Sequence, residues 1–401
     1  MGAERQRLRL TLLRLFGALS APWQRKVPPA LPEHPRILLI RPDHIGDLLL
    51  FTPAIRALRQ ALPGAHLTGM VGPWGEAVLQ HNPHLDEILL CPFPGFTRQP
   101  KGSWLAPYRT LWRWARELQQ GRFDLAIILR FDHWWGALLA YLGGIPIRVG
   151  YSYPESGPFL TDTLPCTSGR HEAQHNLALV QHTLARFGYD TGTVASVDPR
   201  SAPLEFPVQE KDRQWVESYL ADRVVSPEQQ LVAIHPGAGA AVKLWRNEAW
   251  SQVADALAAR WPLRVVITGS RSELDLAWSV YAGMEGEAIV AAGVTTLGQL
   301  AALFQRCRLV LGPDCGPLHL AVAVGTPTVH LFGPEDPHKF GPWGDAQRHL
   351  VVTSGRDCIP CSRLDYGADE LPDHPCVREI TVEAVLAAVR QLLGQTLGAT
   401  R

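Results

Sequence analysis

No apolar run in this 401-residue chain approaches the roughly 18 residues that a membrane-spanning helix needs, which excludes a helical span. Nor is there an excess of either charge. Thirty-eight Lys plus Arg offset 38 Asp plus Glu, so no global field draws the chain to nucleic acid or to an acidic surface. Cysteine is sparse, and seven scattered thiols in a long chain do not build a disulfide framework. Their usage fits a reducing compartment, and a cytoplasmic location is expected. No Gly-x-Gly-x-x-Gly follows an opening strand and no Gly-x4-Gly-Lys-Ser/Thr occurs, which argues against a dehydrogenase and a P-loop enzyme. What the chain does have is apolar material, 46% of its residues, enough for cores in two or three domains.

The first stretch with a clear period is residues 5–19. Leu8, Leu12, Leu15, Phe16 and Leu19 fall on one stripe at helical spacing, with Arg7 and Arg14 nearly opposite. Such a basic amphipathic helix can lie in an anionic membrane interface or dock on its own protein. Pro22, Pro28, Pro29, Pro32 and Pro35 then make a stiff linker. Residues 1–34 are thus an arm and linker, ahead of domains expected at 35–200 and 201–401.

Those domains begin alike. At 36–71 a five-residue apolar strand, a polar loop with Gly46, a helical pattern and a second strand follow one another; near residue 231 the same order recurs with a Gly-rich loop. Runs such as Leu125–Leu129 and Leu309–Leu311 fit strands buried on both faces of a parallel sheet. The expected class is α/β, with two Rossmann-like domains, a linker at 194–210, a final helix crossing back to the first domain, and ligands in a cleft outside the carboxyl ends of the strands.

Four loops at those ends carry candidate chemistry. After the first strand, Asp47 can act as general base or cap the following helix, and Asp43 can share either role. In His235–Lys243, the small residues Gly237, Ala238 and Gly239 let backbone approach a ligand, and Lys243 can meet a phosphate or stay solvated. Glu273 can take the hydroxyls of a ribose or sit as a charge in a first helical turn. In Gly312–Ala321, Asp314 can cap while Pro317 sits in the first turn of an apolar helix. Free N–H groups around Cys315, Gly316, Pro317 and Leu318 can then receive a diphosphate, or the segment is simply a structural turn.

Three segments in order, RILLIRPDHIGDLLLFTPAIRALR at 36–59, HPGAGAAVKLW at 235–245 and GPDCGPLHLAVAVGTPTVHLFGP at 312–334, resemble glycosyltransferase family 9, the heptosyltransferases of lipopolysaccharide core assembly. The resemblance spans about residues 36–380. It implies the GT-B fold of two facing Rossmann-like domains and an inverting, metal-independent transfer of a sugar, plausibly heptose from ADP-heptose. On this reading Asp47 is the base, Lys243 binds the donor phosphates and Glu273 contacts the ribose. Asp314, Gly316 and His319 contact the diphosphate and sugar. Where some members carry threonines, this chain has only Gly and Ala at 237–241, so hydroxyl contacts to phosphate are lost and backbone N–H groups can replace them. No cofactor beyond the nucleotide-sugar substrate is implied. The rival readings are a GT-B nucleotide-sugar epimerase and an inactive sugar-nucleotide-binding protein.

The acceptor side rests on residues 93–116, where Phe93, Phe96, Trp104, Tyr108, Trp112 and Trp114 alternate with Arg98, Lys101, Arg109, Arg113 and Arg116. This mixture suits sugar rings and phosphorylated lipid headgroups, or else marks an amphipathic helix packed through its tryptophans. No nucleic-acid module accompanies it. Acceptor candidates are Asp43, Arg109, Trp112, Arg130 and Arg148. Cys358-x2-Cys361 with Cys376 and His374 has half of a zinc pattern and is read as a local structural element.

Overall fold

Ile37 to Ile40 lose all solvent exposure in β1 (Arg36–Ile40), the fate a continuous apolar run should have between two layers of helices. The computed structural model describes residues 2–20, 26–97, 105–189 and 197–398, in two units, 1–197 and 198–401. Pro22, Arg98, Lys101, Trp104, the linker residues 194–196 and the side chain of Leu8 lie outside what is described.

In the first unit, β1 is joined by β2 (His66–Val71), β3 (Glu87–Leu90), β4 (Leu125–Ile128), β5 (Ile147–Tyr151) and β6 (Asp162–Leu164). All pair in parallel, in the order β3-β2-β1-β4-β5-β6. The helices are α1 (Gly2–Ser20), α2 (Ile45–Leu49), α3 (Thr52–Ala61), α4 (Glu76–Leu79), α5 (Ala106–Gly121), α6 (Trp134–Leu142) and α7 (Glu172–Arg186). Thr52-Pro53 opens α3, and the five-residue α2 is the short turn ahead of it.

The arm does dock on its own unit, with Phe16 the one described member of the expected stripe that makes a ring contact there. Leu13 packs on the core, Phe16 lies edge-on to Tyr141 at 6.3 Å, Gly17 sits against Pro158, and Arg9 pairs with Glu155 at 3.2 Å. Leu12, Leu15 and Leu19 stay more than half exposed. In α5 the buried residues are Leu111, Ala115 and Leu118, with Trp114 half-buried and Tyr108 and Trp112 pointing outward. Of the tryptophans in α5, Trp114 thus packs against the core beside these residues, while Trp112 does not.

The second unit repeats the plan with β7 (Gln230–Ile234), β8 (Leu263–Ile267), β9 (Ala288–Val290), β10 (Cys307–Pro313), β11 (Thr328–Leu331) and β12 (His349–Val352). Their order is β12-β11-β10-β7-β8-β9, again all parallel. The helices are α8 (Glu210–Ala221), α9 (Asn247–Arg260), α10 (Leu274–Ala282), α11 (Leu297–Arg306), α12 (Gly316–Ala323), α13 (Pro337–Phe340) and α14 (Val382–Gly398). The final helix, expected to cross back, instead packs on α9 and on β10, β11 and β12, burying Val385, Val389, Leu392 and Leu393 in this unit's core. Among the described residues no helix is long and apolar enough to cross a membrane.

Both orders reverse once, between β1 and β4 and between β7 and β10. There the connections leave in opposite directions and open a crevice at the carboxyl ends of the strands.

Candidate functional site

At the first crevice, β1 runs into Arg41-Pro42-Asp43, and the indole N–H of Trp74 pins this loop by donating to the carbonyls of Pro42 (3.2 Å) and Asp43 (2.9 Å). His44 occupies the N-cap position of α2, so Asp47 lies inside the first turn and is not the cap. Its side chain keeps a third of its surface open and stands 3.5 Å from an Arg41 nitrogen. Packing by the surrounding protein, then the nearby carboxylates of Asp43 and Glu172, push its pKa up to about 7 against the pull of Arg41 and Arg130.

Asp43 is almost fully buried, and Arg41 and Arg130 both hold it. Burial opposes its charge, but these two cations outweigh burial and leave it below its ordinary pKa. Arg130 also pairs with Asp132 at 2.6 Å and stacks on Phe96 at 5.2 Å, so one residue of the 93–116 segment backs this cluster. The other acceptor candidates are placed elsewhere. Arg148 is buried and donates to the carbonyls of Ile145 and Phe159 over the Tyr141 ring, a structural employment. Arg109 and Trp112 lie on the exposed face of α5.

At the second crevice, Lys243 ends a single 3-10 turn after β7, and its Nζ lies 2.6 Å from Oδ2 of Asp314 beyond β10. Asp314 was expected to cap α12. Cys315 takes the N-cap position, with no side-chain hydrogen bond, while the Asp314 carboxylate goes to the lysine. Pro317 opens the helix as expected, but the row of free donors is short: Pro317 has no N–H and that of Leu318 donates to the carbonyl of Cys315 at 3.2 Å. The backbone N–H groups of Cys315 and Gly316 are the donors left at this end. His319 is buried beside His330 with its Nδ1 unpaired, and burial holds it below the usual histidine pKa.

Of the two roles expected for Glu273, the structure shows the one in the first helical turn. It closes a capping box with Ser270, accepting from the backbone N–H and the hydroxyl, each at 2.7 Å. Its other oxygen lies over Gly237, where an added Cβ would fall 2.0 Å from Oε1. The glycine thus makes room for this carboxylate, while Ala238 and Gly239 complete the loop. Glu335, on the rim after β11, belongs to the same group. Burial raises its pKa, with Asp314 adding to the effect and Lys243 opposing it.

Sequence reasoning missed Arg41, Glu172, Asn176, His133 and Glu335. Their only local signals are an arginine directly after an apolar strand and a Glu-x3-Asn spacing on a buried helix face. Among the described residues no three His, Cys, Asp or Glu side chains converge as a metal ion requires, Cys358, Cys361 and Cys376 included.

The profile of glycosyltransferase family 9 (heptosyltransferase) matches residues 111–365. The chain belongs to that family. As a family 9 glycosyltransferase it is 23% identical to lipopolysaccharide heptosyltransferase 2 of Salmonella typhimurium over 365 residues, covering 90% of this chain and 99% of the relative. Among solved structures, the family 9 glycosyl transferase of Veillonella parvula superposes with a TM-score of 0.75 at 25% identity, covering 91% of this chain and 99% of that one. The ADP-heptose lps heptosyltransferase II of Escherichia coli gives 0.70 at 22%, covering 90% and 99%. The enzyme's two Rossmann-like units are those of the GT-B fold.

Proposed function

We propose that this glycosyltransferase moves a heptose from ADP-heptose onto a lipopolysaccharide core precursor, with inversion at the anomeric carbon and without a metal ion. The names carried by the Salmonella and Escherichia coli relatives support the donor and acceptor classes. The observation that carries the reading is the Asp47 carboxylate after β1, a third open and met by Arg41 only at 3.5 Å, in surroundings that push its pKa up to about 7, where a general base works best at neutral pH.

In the proposed step the acceptor hydroxyl oxygen bonds to the anomeric carbon as that carbon's bond to the diphosphate oxygen breaks. Asp47 takes the hydroxyl proton, and ADP leaves with the bonding pair. Lys243 and the Gly316 N–H meet the charge that builds on the departing diphosphate. Glu273 is offered to the ribose, and Asp314 keeps the lysine aimed. The reaction is assigned to the cytoplasmic face of the membrane, with α1 in the interface through Leu12, Leu15 and Leu19 and Arg130 toward an anionic acceptor.

The test is ADP release from ADP-heptose in the presence of a heptose-deficient core acceptor. Turnover should persist in EDTA and fall by about 10²–10⁴-fold in Asp47→Asn. Turnover that needs a UDP- or GDP-sugar instead, or that EDTA abolishes and a divalent cation restores, overturns the donor or the metal-free part of the reading.

A further inference from the structure

Arg41 is one of the largest fully buried side chains in the protein, although it is a guanidinium. A charge in that position must be paired and hydrogen-bonded to be tolerated, so how its donors are shared out is informative. Nη1 donates to Oδ1 of Asn176 at 2.9 Å and Nη2 donates to Oε1 of Glu172 at 2.8 Å. Nε makes ion-pair contact with Asp43 at 2.7 Å, off the hydrogen-bonding line. Asp47 receives the loosest contact, 3.5 Å from the same Nη2 that serves Glu172.

The two residues that win this competition come from one helix. Glu172 and Asn176 are one turn apart on α7, both buried, and the turn is fixed by a capping box between His171 and Gln174. The Asn176 amide also donates to the Leu50 carbonyl at the end of α2, at 3.2 Å, which ties α7 to the helix that bears Asp47. Glu172 therefore has a place in the site that the chemistry itself does not require.

We propose that Glu172 is a positioning residue: with Asn176 it holds the Arg41 guanidinium turned away from Asp47, which leaves that carboxylate under-compensated and able to accept a proton. This rests on Asp47 being the base. The charged groups facing Asp47 are Arg41 and Asp43 from the loop after β1, Glu172 from α7 and Arg130 from the loop after β4, with His133 behind Asp43. Four carboxylates, Asp132 on Arg130 included, share two cations here. Asp43 touches both cations, Asp132 takes part of Arg130 and Glu172 takes the Arg41 Nη2 hydrogen bond, so the shortfall lands on Asp47.

The experiment measures Asp47 itself as well as turnover, in the full-length protein. Glu172→Gln keeps the shape and the hydrogen-bond acceptor but removes the charge that competes with Asp47 for the Arg41 guanidinium. Asn176→Asp adds a charge beside Nη1. Asp47 is followed by carboxyl carbon NMR, its signal identified as the one missing from Asp47→Asn, while kcat/KM for ADP release is taken against pH. We expect the Asp47 titration and the acid limb of kcat/KM to move down together by about one pH unit in Glu172→Gln and up in Asn176→Asp. ADP affinity, which depends on the second unit, should stay unchanged. An Asp47 titration that stays put in both folded variants overturns the proposal and leaves the base assignment standing. A titration that moves while the rate profile does not upholds the positioning and overturns the base assignment.

Discussion

Asp47 differs from an ordinary aspartate because of what surrounds it, and the pH behaviour follows from the sign of that difference. A base works when ionised, so kcat/KM should rise with pH through about 7 and level off above it. Stability runs the other way. The folded protein holds the Asp47 proton more tightly than the unfolded chain, where the group titrates near about 4. The stabilisation is therefore complete below about 4 and is lost as pH rises through about 7. Asp47→Asn, which cannot ionise, should melt at a higher temperature than the parent at pH 8 and lose that advantage near pH 4. Thermal unfolding at the two pH values checks this, and equal melting temperatures at pH 8 would mean that the ionised carboxylate costs the fold nothing.

Among the elements, the strands were the most legible part of the sequence, because runs such as Ile37–Ile40 and Leu231–Ile234 have no polar position that could face solvent. The loops at their ends were legible as places, less so as contacts. An aspartate before a helix is read as its cap, but Asp314 pairs with Lys243, 71 positions away, and the local preference yields to that long-range charge. Arg41 with Glu172 and Asn176 is separated by 131 and 135 positions, and no window of sequence holds both ends. The Gly-rich loop was legible as a close approach, though the neighbour it admits is Glu273. Gly237→Ala should therefore displace Glu273 from Ser270, lowering stability by about 1 kcal/mol, as for a lost cap, and weakening ADP binding. Calorimetric titration with ADP checks this, and unchanged affinity would remove Glu273 from the nucleotide site.

For the whole molecule, charge is balanced in total and uneven in place. The segment of α1 carries four arginines against one glutamate and that of α5 three against one, on helices that leave Leu12, Leu15, Leu19, Tyr108 and Trp112 exposed. The protein should sediment with vesicles containing phosphatidylglycerol at low salt and less so at high salt. Replacing Leu12, Leu15 and Leu19 with Asp should release it while leaving turnover on a water-soluble acceptor intact; a triple variant that still sediments would exclude α1 as the contact. The same cancellation operates at the smallest distance in the second unit. Because Lys243 already holds a carboxylate at 2.6 Å, a lone halide arriving there would have to compete with a tethered rival and would gain little. A ligand with several oxygens, able to engage the ammonium and the glycine amide in one event, escapes that handicap. With Lys243 in the proposed role of meeting the donor diphosphate, this pairing would set a threshold that a lone small ion clears less easily than ADP.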